Sequence, residues 1–240
     1  MHVSPLVVAT QATHQSLDQR LTEARDLRAS RSRPRERFAR TDAFMAATSR
    51  HLAAVEDVLL PIVAHGLPDG HVRVESYLHQ ARLLEQSLAL LKARLYGEQH
   101  ASHLSWAQVW EEAETALRRH NECERSTVAE LDNGLDETSA AALAERIYRA
   151  ELRAPTRAHP FIPHTGRLGH LARRLWAVAD RFWDMVEGRA VPTLVAPPSR
   201  EHRHDSLMGQ YLMGEPRFDA HAPLFAPRRH LPGWPARHRR

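Results

Sequence analysis

The stretch WAQVWEEAETALRRHNECERSTVAELDNGL, Trp106 to Leu135, decides the fold. At about 100° of rotation per residue, Val109, Ala113, Leu117, Cys123, Thr127, Val128 and Leu131 fall on one side of a helix. Two polar residues, His120 and Glu124, fall in the middle of that stripe. Four positions apart, they stand one turn apart on the same inward face, and burying both is costly unless each finds a partner. Two kinds of partner are open. The pair hydrogen-bonds to itself or to another buried polar group, or a metal ion held between helices takes both. Asn133 and Gly134 then stop the helix.

Upstream, the same pattern repeats. From about Thr10 to Arg28, His14, Leu17, Leu21 and Ala24 form a stripe at helical spacing, with His14 in a core position. Residues Ala29 to Arg40, rich in arginine and containing Pro34, read as an exposed connection. From about Thr41 to His65, Phe44, Ala47, His51, Ala54, Val55, Val58 and Ile62 make the apolar face of a second helix. His51 points inward there, and Pro61 is expected to kink the helix or close its regular part. Glu56 lies about 140° from His51 on an ideal helix and is expected to face outward. The next helix, about His71 to Tyr96, is apolar on two sides and is therefore covered on two faces. Its main stripe carries Glu85 and its second stripe His79, and periodicity alone leaves open which of them faces the centre. His100 and His103 fall in a polar loop and read as surface residues.

Downstream, Thr138 or Ser139 caps a fifth helix that runs to about Arg153. The run APTRAHPFIPH, Ala154 to His164, has three prolines and must be nonhelical. A sixth helix is expected from about Gly166 to Gly188, with Leu168, Leu171, Leu175, Val178, Phe182 and Met185 on one large face. That face covers the other helices or makes a contact with a protein partner or a second copy.

Composition bounds the class. Proline is absent from His71 to Ala154, and no segment alternates β-branched and polar residues, so the fold is all-α. Cys123 is the single cysteine, so no intrachain disulfide forms and a reducing cytoplasm is the expected location. No signal-peptide pattern opens the chain and no apolar run approaches the length of a membrane span. After Val195, eight arginines stand against four acidic residues, so the tail carries the whole net charge of +4. A balanced body argues against nucleic acid as a partner, since a binding face clusters its positive charge on a folded surface. No serine, cysteine or lysine stands in a recognisable nucleophile setting, which leaves hydrolase and transferase chemistry without support.

Inward histidines in the first, second and fourth helices, the HLAAVEDVLLP segment from His51 to Pro61 and HNECE from His120 to Glu124 together resemble the hemerythrin-like HHE cation-binding family. The APTRAHP run is similar to the segment that follows the bundle in many bacterial members. The resemblance implies an up-and-down four-helix bundle over residues 10–135, preceded by a lead-in at 1–9. A C-terminal helical extension at 136–190 and a largely disordered Pro/Arg/His-rich tail at 191–240 follow. It further implies that His14, His51, His120 and Glu124 are metal ligands, with His79 matching the third-helix histidine. The metal is nonheme iron, one or two ions, with manganese or zinc as alternatives, and the small ligand is dioxygen, peroxide or nitric oxide. Weak peroxide consumption is the turnover such a site would support. One position departs from the family: Val55 stands where a carboxylate usually follows the second-helix histidine by four. A π-bulge would bring Glu56 round, and Glu56 or Glu85 would then complete a dinuclear site. Without it the site is mononuclear or lost, and the chain is a metal-free helical scaffold that binds a partner.

Overall fold

The computed structural model describes residues 4–27, 35–98, 103–156 and 192–197. Five helices and no strand lie within them: α1 (Pro5–Asp26), α2 (Glu36–Gly66), α3 (Gly70–Tyr96), α4 (Trp106–Asp132) and α5 (Glu137–Glu151). The all-α reading holds for these residues. The sixth helix, His100, the proline-rich run from 157 onward and the tail apart from residues 192–197 lie outside them. None of the described helices is long and apolar enough to cross a membrane.

Local chemistry sets the helix ends. Ser4 and Pro5 start α1 several residues earlier than the apolar stripe indicated. The Ser4 side chain accepts from the Leu6 N–H, and Pro5 occupies the first turn, where its missing N–H costs nothing. The Ser4 hydroxyl also donates to Asp132 at 2.5 Å, tying the start of α1 to the end of α4. Helix α4 opens with a capping box: Ser105 accepts from the Gln108 N–H, and the Gln108 side chain accepts from the Ser105 N–H. The cap of α5 is Asp136, which accepts from Ser139, rather than Thr138 or Ser139 itself. Pro61 does not end α2, which continues to Gly66. It stands on an exposed side of the helix, where water can serve the carbonyl left without an N–H. Gly97, at φ 77°, closes α3 in the left-handed region that favours glycine.

Helix α2 is the central element. It packs against α1, α3 and α5 and touches α4, and from Phe44 to Glu56 every residue is buried. Helix α4 lies between α1 and α3, and α5 lies against α1 and α2. The core is built from Leu6, Leu17, Phe44, Leu52, Leu59, Leu84, Leu88, Leu91 and Leu117, all essentially inaccessible. Each large apolar side chain buried in this way contributes about 2 kcal/mol. On α3 the main stripe wins: Ala81, Leu84, Leu88, Leu91 and Leu95 are buried, while Val72 of the second stripe is 67% exposed.

Candidate metal centre

Three helices bring four polar side chains to one point in this core. His14 continues the α1 stripe of Leu6, Thr10, Leu17, Leu21 and Ala24 and is 5% exposed. His51 sits midway along the buried stretch of α2, and His120 and Glu124 stand one turn apart on α4. A single oxygen, Glu124 Oε2, is the common point. It lies 3.0 Å from His51 Nε2, 3.3 Å from His120 Nε2 and 3.5 Å from His14 Nε2. The imidazoles approach edge to face, with His51 nearly perpendicular to both His14 and His120. Donor atoms of His14, His51 and Glu124 all fall within 4.8 Å of one another, so this buried group can hold a metal ion.

Only His51 is fully hydrogen-bonded. Its Nε2 meets Glu124, and its Nδ1 meets Glu151 Oε1 of α5 at 2.8 Å. Among the described residues, neither ring nitrogen of His14 or of His120 has a hydrogen-bond partner, although all four atoms are buried. Buried polar atoms left in this way are costly. The donor set, imidazole nitrogen with a carboxylate, suits iron, manganese or zinc. A cation accepting the Nε2 lone pairs would satisfy the side of each ring that faces Glu124, so the residues fit a metal.

Electrostatics in the metal-free protein follow from the same geometry. Burial alone would lower the His51 pKa, but the Glu124 charge and the hydrogen bonds to Glu124 and Glu151 outweigh it and raise the group to about 10. Burial opposes ionisation of Glu124, yet the surrounding imidazoles of His51, His14 and His120 hold it well below its usual 4.5. For His120, burial dominates and pushes the pKa down from 6.5, with Glu124 only partly offsetting it.

These directions fix the pH dependence of stability. The His51 contribution is complete below its unfolded value of 6.5 and is lost as pH rises through about 10. That of Glu124 is complete above 4.5 and is lost on acidification through its depressed value. The lowered His120 binds fewer protons folded than unfolded, so stability falls as pH drops below 6.5. The site's contribution in the metal-free protein is therefore greatest near pH 6.5. Urea denaturation of chelator-treated protein across the pH range checks this, and stability that still rose between pH 7 and 9 would contradict it.

Three further residues, His79, Glu85 and Glu56, are expected at the site from the sequence. His79 is exposed on α3 and is not brought to the cluster. Glu85 is the buried polar residue of α3, and Glu56 is buried rather than outward-facing. The reason for Glu56 is that α2 has neighbours on every side over this stretch, so even a residue 140° from His51 meets another helix. Both carboxylates act electrostatically on Tyr77, as Glu124 does, but neither joins the His14, His51 and Glu124 group. Val55 is fully buried and apolar. Cys123 is partly buried, 3.7 Å from the Ser76 hydroxyl.

Two residues at the centre were not anticipated. Tyr77 packs its ring edge-on to His120 at 4.9 Å, and its buried hydroxyl has no hydrogen-bond partner among the described residues. Burial, with the nearby carboxylates adding to it, raises its pKa well above the ordinary value. Glu151, 3% exposed, continues the α5 stripe of Ala140, Leu143, Ala144 and Ile147. A carboxylate on an apolar stripe is the signal that singled out Glu124, and it was equally present here. Beside His51, Glu124 and Glu151 lies a cavity of about 20 Å³, also lined by Leu6, Thr10, Ile147, Val195 and Pro197. It has room for about one water-sized molecule. Comparison with family models, curated proteins and solved structures gives no match for this chain.

Proposed function

We propose that the chain is a hemerythrin-like protein in which α1 to α4 form a four-helix bundle around one nonheme iron ion. His14, His51, His120 and Glu124 hold it, and the protein binds or senses dioxygen, peroxide or nitric oxide in the cytoplasm. The observation that carries this reading is the set of buried imidazole nitrogens on His14 and His120 that face Glu124 Oε2 with no hydrogen bond. A bound iron would supply an open coordination position for a small oxidant. The chain's own part is to hold three imidazoles at one carboxylate oxygen, to exclude bulk water, and to leave a cavity of about 20 Å³ beside two of the ligands. One ion is favoured over two because Val55, fully buried on α2, offers no second carboxylate beside His51.

Elemental analysis of protein reconstituted anaerobically with Fe(II) tests this directly. The expected result is one iron ion per chain, lowered by His14→Ala and by His120→Ala. Substoichiometric metal after reconstitution overturns it. A metal-free scaffold is the second reading, and the hydrogen-bonded chain Glu151–His51–Glu124 favours it, because it satisfies His51 with no ion. The same measurement separates the two.

A further inference from the structure

The fifth helix is joined to the histidine cluster by a hydrogen bond to one buried carboxylate. Glu151 is the last residue of α5, yet it is 3% exposed and its Oε1 lies 2.8 Å from His51 Nδ1. Its backbone carbonyl accepts from Arg50 Nε, also at 2.8 Å, so consecutive residues of α2 grip the side chain and the main chain of the same residue. The opposite ring nitrogen, His51 Nε2, faces the cluster. An imidazole binds a cation through a nitrogen that carries no proton, and a hydrogen bond on the other nitrogen fixes which one that is. Glu151 accepts from Nδ1–H, keeps the remaining proton there, and orients Nε2 toward His14 and Glu124.

We infer that Glu151 is a positioning residue of the metal centre and that docking of α5 and binding of the ion are coupled through it. The inference rests on the metal-binding reading above. Coupling is reciprocal by thermodynamic necessity: the docked helix raises affinity for the ion, and the ion holds the helix down. Helix α5 is then a component of the site rather than an appendage to the three helices that supply the ligands.

Fe(II) binding to the full chain, measured anaerobically by competition with a chromophoric chelator, provides the test, together with backbone hydrogen exchange over residues 137–151. In the wild type, Fe(II) slows exchange across α5. Glu151→Ala weakens Fe(II) binding by about 10- to 100-fold and removes that protection. Glu151→Gln, whose amide oxygen can still accept from Nδ1–H, stays within a few fold of the wild type. Affinity unchanged in Glu151→Ala, or α5 exchange in the wild type indifferent to Fe(II), overturns the inference. So does a Glu151→Gln loss as large as that of Glu151→Ala, which would make Glu151 a ligand. The exchange experiment on the wild type needs no variant, so it decides even if Glu151→Ala fails to fold. A wild type that takes up no metal removes the metal reading itself. A wild type that takes it up with α5 unaffected removes only the role of Glu151.

Discussion

Glu124→Ala abolishes metal uptake and destabilises the metal-free protein by about 3–5 kcal/mol, the range seen when one partner of a buried ion pair is removed. Glu124 Oε2 lies within 3.5 Å of three imidazoles. Without it, a cation loses its only carboxylate ligand in the group, and affinity is expected to fall by more than about 100-fold, beyond the effect of losing an outer partner. The folded metal-free protein is affected as well. His51, raised to about 10 largely by its carboxylates, keeps Glu151 alone, and the site must shed a proton or hold a poorly compensated charge in a dry core. Urea denaturation at neutral pH and Fe(II) titration of the same variant measure the two effects. Metal content equal to the wild type, or a stability loss below about 1 kcal/mol, the scale of a single ordinary hydrogen bond, would show that Glu124 is not the hub of the cluster.

The second large effect lies away from the site. Gly70→Ala is expected to destabilise the protein by about 3 kcal/mol, at the upper end for overpacking. Gly70 has ordinary backbone angles, so conformational freedom is not the reason for glycine here. A Cβ at this position would stand 2.1 Å from the Val63 carbonyl oxygen and 2.9 Å from that of Ala64. Those are backbone atoms of the preceding helix, and no side-chain rotation relieves the contact. Either α2 and α3 separate where they join or the turn is rebuilt. Gly66→Ala is the matched control, because the Cβ there would meet only Leu131 Cδ1 at 3.7 Å, an ordinary contact. Thermal unfolding of the two variants side by side checks the prediction, and equal melting temperatures would refute it.

The spread between what was and was not legible in the sequence follows from how many neighbours each helix has. Helix α4 is strongly amphipathic, so its stripe points in one direction and His120 and Glu124 could be placed inward with no knowledge of the rest. His14 was readable from the stripe of Leu17, Leu21 and Ala24 on α1, and His51 from its place among apolar neighbours on α2. Helix α2 buries every residue from Phe44 to Glu56, and a helix covered all round has no outward face to read. An angle measured from His51 therefore points Glu56 to solvent, whereas the exposed side of α2 begins one residue later, at Asp57. Helix α3 offered two stripes, and choosing between Glu85 and His79 required knowing where α2 and α4 lie. The Ser4–Pro5 start of α1 and the buried Glu151 did leave local signals, a cap followed by a first-turn proline and a carboxylate on an apolar stripe. What their sequence context could not give is the partner, which is more than a hundred residues away for Ser4 and a hundred for Glu151.

The arginine contacts around α5 and the 192–197 segment carry a consequence for how this chain can change over time. Arg50 donates to the carbonyls of Glu151 and Pro192, and Arg20 donates to the carbonyl of Thr193. All three acceptors are main-chain atoms, present whatever side chain the residue bears. The grip is therefore indifferent to the lettering of the segment it holds and sensitive only to its path. Positions 192 and 193 can drift through many amino acids with these contacts intact, whereas replacing either arginine weakens the hold whatever the strap's own sequence.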